Sequence, residues 1–247
     1  MKKQVSIVTG AAKGIGKSIA TQLKSDGFFV VLVDVDKNAG IALEKEMGSE
    51  SCHFIEANIN DENSVQKLFE EAKKINGSID VIVNNAGIIK DKMIWKMSVE
   101  EFDDVIAVNL RGTWMMCREA AIIMKEQNSG RIINIASRAW LGNAGQSNYS
   151  ASKAGVVALT RVLALELGKY NVLVNAVAPG LIDTPLTQNL EASVLTKLIQ
   201  AQPTKTIGKP EDVANLVSFL ANEKTKFITG QVMYVDGGKN IGANMNL

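Results

Sequence analysis

The stretch Gln4-Val5-Ser6-Ile7-Val8-Thr9 is a short apolar run that breaks into Gly10-Ala11-Ala12-Lys13-Gly14-Ile15-Gly16, after which apolar residues return at helical spacing at Ile19, Ala20 and Leu23. A strand, a glycine turn and a helix in that order constrain the fold strongly. They place backbone amides at a helix N-terminus, the arrangement that cradles a dinucleotide pyrophosphate. Gly10 permits the tight turn, Gly14 lets amides reach phosphate, and Gly16 lets the helix pack against the strand; each role requires a missing Cβ. Similar turns also join strands to helices without any ligand, so the rest of the chain has to decide.

The pattern repeats. Strands are expected near Val5 to Thr9, Phe29 to Asp34, Cys52 to Glu56, Val81 to Asn84, Arg131 to Ala136, Leu173 to Ala178 and Val232 to Val235. Helical periodicity lies between them, at Gly14 to Ser25, Ala39 to Met47, Ser64 to Ile75, Val99 to Lys125, Tyr149 to Leu167 and Pro210 to Ala221. This alternation predicts an α/β fold with a parallel sheet and right-handed crossovers. No linker, repeat or low-complexity segment divides the chain, so one domain over 1–247 is expected.

With 27 basic and 26 acidic residues, the net charge of +1 gives no basic field for nucleic acid and no acidic tail. Small molecules or copies of the same chain are the expected partners. Cys52 and Cys117 stand far apart, and the single histidine, His53, leaves a zinc site short of ligands, so no metal is expected and both thiols are read as reduced. The chain shows neither an apolar leader nor a run long enough to span a bilayer, which points to a cytoplasmic protein.

Ser147-Asn148-Tyr149-Ser150-Ala151-Ser152-Lys153 carries the chemistry. On a helix, the four-residue spacing stacks a phenol beside an ammonium. At roughly 5 Å and an effective dielectric near 20, the ammonium favours the phenolate by about 3 kcal/mol, which lowers the phenol's pKa by about two units. Hydride transfer to or from a carbonyl carbon needs a proton moved on or off its oxygen. Tyr149 is the candidate donor, with Lys153 tuning it and reaching the cofactor ribose, and Ser137 supplying a second hydrogen bond to the developing alkoxide. Taken alone, Ser137 could be a strand-end serine bonding to backbone, and Asn109 a buried structural amide.

Asp34 ends the second strand about 20 residues beyond the glycine turn, where a carboxylate accepts from an adenosine ribose. It favours NAD over NADP, because a 2′-phosphate about 4 Å away would meet a repulsion on the order of 4 kcal/mol per charge before screening. Lys13 pulls the other way, but an exposed ammonium is worth about 1 kcal/mol.

Taken in order, the glycine turn, Asp34, Asn84-Asn85-Ala86-Gly87, Asn109, Ser137, Tyr149, Lys153, Pro179-Gly180 and the Val235-Asp236-Gly237-Gly238 ending resemble the short-chain dehydrogenase/reductase family over nearly the whole chain. The resemblance implies a single-domain Rossmann fold, a doubly wound seven-stranded parallel sheet flanked by helices. It makes Ser137, Tyr149 and Lys153 a catalytic triad, with Asn109 as a fourth member holding a water that links Lys153 to solvent. The cofactor would contact Gly10, Lys13, Gly14, Ile15, Gly16 and Asp34, with Asn85, Ala86 and Gly87 along the adenosine and ribose path. Pro179, Gly180, Ile182 and Thr184 would flank the nicotinamide carboxamide. Asn58-Ile59 would meet the adenine; Asn58 stands where the family usually has an aspartate, and its amide oxygen can also accept from the adenine amino group.

Residues 138–147 would form one pocket wall, carrying Trp140 and Gln146, and a lid around 181–205 would bring Leu186 over the substrate. Trp140 could equally pack at a subunit interface. The runs Gly145 to Tyr149 and Gly208 to Asp212 look most like 3-oxoacyl thioester reductases, including those acting on acyl carrier protein. Those enzymes usually resemble NADPH users, whereas Asp34 points to NAD. The arginines on which the acidic carrier docks in the family are replaced by Asn128 and Tyr170, with Lys125 and Lys169 close by, so a coenzyme A thioester is an equal candidate. The expected activity is therefore NAD(H)-linked interconversion of 3-oxoacyl and 3-hydroxyacyl thioesters. Alternatives are a dehydrogenase of a small secondary alcohol, polyol or sterol-like ketone, or a cofactor-binding redox sensor. The long helices 99–125 and 149–167 carry more apolar surface than one sheet face covers, which implies self-association, and family members are commonly tetramers.

Overall fold

The computed structural model describes residues 3–241. Seven strands, β1 (Val5–Thr9), β2 (Phe29–Asp34), β3 (Cys52–Glu56), β4 (Val81–Asn84), β5 (Gly130–Ile135), β6 (Val172–Pro179) and β7 (Val232–Val235), make one sheet in the order β3-β2-β1-β4-β5-β6-β7. Every neighbouring pair is parallel. Each residue of β1, β4 and β6 is buried, as expected of near-continuous apolar strands with helices over both faces.

Helices α1 (Gly14–Ser25), α2 (Lys37–Met47) and α3 (Glu62–Asn76) follow the first three strands. Asp36 and Asp61 start α2 and α3 by accepting amides of the first turn, and Gly77 ends α3 in the left-handed region. The single helix expected over 99–125 is in fact α4 (Val99–Ile106) and α5 (Thr113–Gln127), joined by a wide π-helical turn at Ala107–Gly112. Asn109 sits in that turn, and the Thr113 hydroxyl donates to its carbonyl at 2.8 Å. Wide turns of this kind recur at functional sites because they re-aim a side chain that a regular helix would point elsewhere. The chain continues through α6 (Ser147–Leu167), two short helices in the lid region, α7 (Pro185–Gln188) and α8 (Ala192–Gln200), and α9 (Pro210–Ala221).

Ile19 and Leu23 of α1, Leu43 of α2 and Val213, Val217 and Leu220 of α9 share one core with Val8, Val30, Leu32, Val83 and Ile133 of the sheet. Leu68 of α3, Met116 and Met124 of α5 and Leu163 of α6 fill the other face with Ile7, Val31, Ile82 and Ile132. Since β6 to β7 advances across the sheet in the same direction as β4 to β5 to β6 but carries its helix on the α1 face, this last crossover has the opposite hand from the others. The expectation of uniformly right-handed crossovers fails there. The reason is coverage: α3, α5 and α6 already occupy one face, and without α9 the other face of β5 and β6 would be bare.

Strand order reverses between β1 and β4, so the connections leaving these two strands turn to opposite faces of the sheet and open a crevice. The Thr9 hydroxyl laces its floor, accepting from the amides of Asn85 at 3.0 Å and Ala86 at 3.1 Å. A Cβ on Gly16 would lie 2.0 Å from the Gly10 carbonyl oxygen, so only glycine lets α1 begin this close to β1. Gly16→Ala is expected to destabilise the protein by about 3 kcal/mol through overpacking and to weaken binding of the expected dinucleotide as the turn shifts. Urea unfolding and cofactor titration read the two effects; a variant of wild-type stability would contradict this packing account.

Candidate active site

The first turns of α6, the wide turn before α5 and the end of β5 converge on the expected catalytic four. Asn109 is fully buried; its side chain accepts from the Ile88 amide at 2.8 Å and donates to the Ile88 carbonyl at 3.0 Å and to the Ser152 hydroxyl at 3.2 Å. Lys153, only 4% exposed, donates from Nζ to the Ile135 carbonyl at 2.7 Å. Its ammonium lies 5.7 Å from the centroid of the Tyr149 ring. Gly87 closes the group: a Cβ there would stand 3.1 Å from Asn109 Oδ1 and 3.6 Å from Lys153 Nζ. Ser137 follows β5, accepts from the Ala139 amide at 3.1 Å and faces the phenol of Tyr149, whose pKa it lowers.

The electrostatics correct the sequence expectation. Burial raises the pKa of Tyr149 above the ordinary phenol range, Asp91 adds to the rise, and the Ser137 hydrogen bond opposes it. The Lys153 ammonium sits over the ring face and gives one of its N–H groups to a backbone carbonyl, and burial outweighs it. Burial lowers Lys153 itself to about 8. A low-dielectric site disfavours both charged forms, so the phenol holds its proton while the amine is close to giving one up.

The crevice fits a dinucleotide. Gly10 has φ +64, and a Cβ on it would meet Ala86 Cα at 2.9 Å. No side chain caps the N-terminus of α1 and no acidic residue occupies its first turn, so its amides remain open to an anion. Lys13 is exposed at the start of α1, and Ile15 packs against the core from its first turn. Asp34 accepts from the Ala12 amide at 3.0 Å and the Asp36 amide at 3.1 Å, which fixes its carboxylate beside the glycine turn. Asn85 bonds to the carbonyls of Thr9 and Gly10, so its amide supports the floor. Asn58 is exposed and its oxygen already accepts from Asn60 at 3.0 Å, leaving one lone pair, while Ile59 is buried against Gly112. Across the crevice, Pro179 ends β6, Gly180 packs on Asp236, Ile182 is buried, and Thr184 lies over Gly14. A nicotinamide dinucleotide held here supplies or accepts the hydride.

On the substrate side, Trp140 is half-buried beside α6, and its indole N–H has no partner among the described residues. Gln146 donates one amide N–H to Asp91 at 2.7 Å and accepts from Asn143 at 2.9 Å, which leaves it a second N–H and a second lone pair. Leu186 falls in α7, but its side chain lies outside the described residues. A cleft of about 400 Å³ lined by Leu181, Gln202, Thr206 and Tyr234 lies below the lid and contains none of the catalytic four. The sequence reading missed the strap after β4. Ile88 is held by Asn109, the Lys90 carbonyl accepts from Asn148 at 2.9 Å, and the Lys92 amide donates to Gly145 at 2.8 Å. Its only sequence signal was that Asn109 and Asn148 needed buried partners.

The depressed Lys153 has a consequence for stability. Between its folded value near 8 and the ordinary 10.5, the unfolded chain binds a proton that the folded chain does not, so this group's contribution improves as pH rises through that window. Below it the penalty is fully present, on the order of 3 kcal/mol. Lys153→Met is therefore expected to gain stability over the wild type at pH 7 and to lose the advantage by pH 10, while activity disappears. Paired urea melts at the two pH values check this; a variant less stable at pH 7 refutes it.

Comparison with known proteins agrees with this geometry. Residues 10–240 match the family model described as enoyl-(acyl carrier protein) reductase. The chain is 41% identical to the 3-oxoacyl-[acyl-carrier-protein] reductase FabG of Aquifex aeolicus, over 96% of this chain and 98% of that one. It is 40% identical to the (2S)-[(R)-hydroxy(phenyl)methyl]succinyl-CoA dehydrogenase subunit BbsD of Thauera aromatica, over 98% and 99%. Among solved structures, gox2181 superposes with a TM-score of 0.93 at 30% identity, covering 98% of this chain and 97% of that one. A putative gluconate dehydrogenase from Agrobacterium tumefaciens gives 0.93 at 28%, covering 96% of each. The chain belongs to the short-chain dehydrogenase/reductase family and is a 3-oxoacyl reductase-like oxidoreductase that uses a nicotinamide cofactor.

Proposed function

We propose that the protein interconverts 3-oxoacyl and 3-hydroxyacyl thioesters with NAD(H), Tyr149 acting as general acid in reduction and general base in oxidation. The observation that carries this reading is the grouping of half-buried Tyr149 and Ser137 with buried Lys153 and Asn109 beside the glycine-turn crevice. Tyr149 gives its proton to the carbonyl oxygen while Ser137 donates a hydrogen bond that steadies the developing charge. Lys153, close to losing its proton, is the group that would return one to the phenol, and its ammonium would also hold the ribose hydroxyls of a bound cofactor, while Asn109 would hold a water linking Lys153 to solvent. The lid around 181–205 excludes bulk water; Leu190, Val194 and Leu198 leave it an apolar surface to set against an acyl chain.

Asp34 supports NAD over NADP because its carboxylate, held between Ala12 and Asp36, occupies the space a 2′-phosphate would need. For the acyl carrier, Lys125 and Lys169 stand 5.4 and 5.1 Å from the Tyr170 ring centroid, so the aromatic gathers two ammonium groups where the family carries arginines. That surface suits an acidic carrier, and the chain's likeness to BbsD suits coenzyme A. The second enzymatic reading, oxidation of a small polyol, draws on the likeness to a putative gluconate dehydrogenase.

Steady-state kinetics separate these readings. NADH is expected to exceed NADPH in kcat/KM by about a hundredfold, with Asp34→Ser narrowing the gap, and Tyr149→Phe is expected to lower kcat on acetoacetyl-CoA at least about a hundredfold without changing NADH affinity. Brisk oxidation of gluconate with no turnover of acetoacetyl-CoA or the acyl-carrier thioester would overturn the thioester assignment.

The assembly is proposed to be a homotetramer. Phe102, Trp114, Ile122, Val162 and Leu165 are exposed along α4, α5 and α6, Leu165 by 85%. Light scattering at micromolar concentration is expected to give four times the chain mass, with Leu165→Glu reducing it; a wild-type monomer contradicts the proposal.

A further inference from the structure

At the amino edge of the sheet, away from the catalytic group, lies a second cleft of about 380 Å³, within the size range of small-ligand sites. Arg131, the second residue of β5, lines it, and buried Leu173 of β6 adds an apolar wall. The Arg131 guanidinium donates to the Gly130 carbonyl at 2.9 Å and to the Thr225 carbonyl at 3.1 Å, while its Nε is buried without a partner among the described residues. A guanidinium carries five N–H groups, so three remain, and no carboxylate pairs with it among the described residues. Burial depresses its pKa, and only Glu223 opposes the fall. The Asn128 and Asn171 amides, the Ser129 hydroxyl and the Lys226 ammonium line the same cleft and make no hydrogen bond among the described residues. Asn128 ends α5 and Asn171 ends the turn after α6, both in the left-handed region at φ 52 and 55, so their short amides flank the starts of β5 and β6.

We propose that this cleft binds a small organic oxyanion, its phosphate or carboxylate head held by Arg131 and Lys226 and its polar body set against Asn128, Asn171 and Ser129. The planar guanidinium matches two oxygens of such a head, and the compact ammonium supplies a second charge. Glu223 lines the cleft as well, so two cations stand against one carboxylate and the site suits a single anionic head rather than a polyanion. Lys125 and Lys169 gather at Tyr170, the residue before Asn171, and bring two further ammonium groups to this edge. Arg131 stands at the opposite end of β5 from Ser137, about 20 Å away along an extended chain, so the ligand and the dinucleotide do not compete.

Inorganic phosphate, glycerol 3-phosphate and acetate serve as probes, titrated with a saturating nicotinamide dinucleotide present so that the open amides of α1 are already engaged. Labelling arginine with ¹⁵N gives one Nε–H signal each for Arg111, Arg118, Arg131, Arg138 and Arg161, and Arg131→Lys assigns the one that matters. That signal is expected to shift and saturate at millimolar phosphate, and glycerol 3-phosphate to bind about threefold tighter through the added hydrogen bonds to its body. Glu223 and Lys226 are exposed and lie outside the catalytic and cofactor machinery; Glu223→Gln should tighten phosphate about threefold and Lys226→Ala should weaken it about fivefold. Arg131→Gln should abolish binding, and if it fails to fold the two surface variants carry the test. An Arg131 signal unmoved by all three probes overturns the proposal, as does a phosphate affinity that neither surface variant changes. A raised KM for an acyl-carrier thioester in Lys226→Ala, without binding of any probe, would give the cleft to an acidic side chain of that carrier and equally overturn a small-ligand site.

Discussion

The contact between the first turn of α1 and the end of β1 governs the rest of the molecule. Where Gly16 meets the Gly10 carbonyl there is no room for a Cβ, and the close approach aims the open amides of α1 into the crevice between β1 and β4. The same crevice floor is tied to β4 by the Thr9 hydroxyl, which fixes Ala86 and Gly87 against the catalytic group. A backbone packing constraint thus sets the distance between the dinucleotide cradle and the proton-transfer residues. Displacing the helix by a methyl's width would disturb both.

Low dielectric governs the chemistry in turn. An ammonium and a phenol one turn apart would, in water, be expected to stabilise phenolate; buried together they each move towards neutrality. The shifts make the ammonium the stronger acid of the two, so a proton passed from Lys153 to a Tyr149 phenolate runs downhill. Ser137 and Asp91 act on the phenol with opposite signs, so its acidity is set by a balance of two neighbours and burial rather than by the lysine alone.

Much of this was legible in the residues. All seven strands fell within two residues of their observed bounds, because parallel strands buried on both faces read as plain apolar runs. Glycine positions were legible because their roles are steric and local. What escaped was set by tertiary partners. The break at Ala107–Gly112 has no sequence signature, since Val108 and Leu110 continue a helical pattern and only the demand of Ile88 on Asn109 unwinds it. The bond from the Gln146 amide to Asp91, 55 positions earlier, likewise has no sequence signal. The direction of the Tyr149 shift was misjudged for a related reason: spacing gives proximity but not depth.

The reversed hand of the final crossover has a topological consequence. On its way to α9 on the α1 face, the chain leaving β6 crosses the sheet's carboxyl edge, and residues 180–209 pass Gly14 there through Thr184. The cover over the crevice is therefore also the tether that lets the last helix reach its side of the sheet. A change in this segment therefore acts on two things at once, the covering of the crevice and the seating of the last helix.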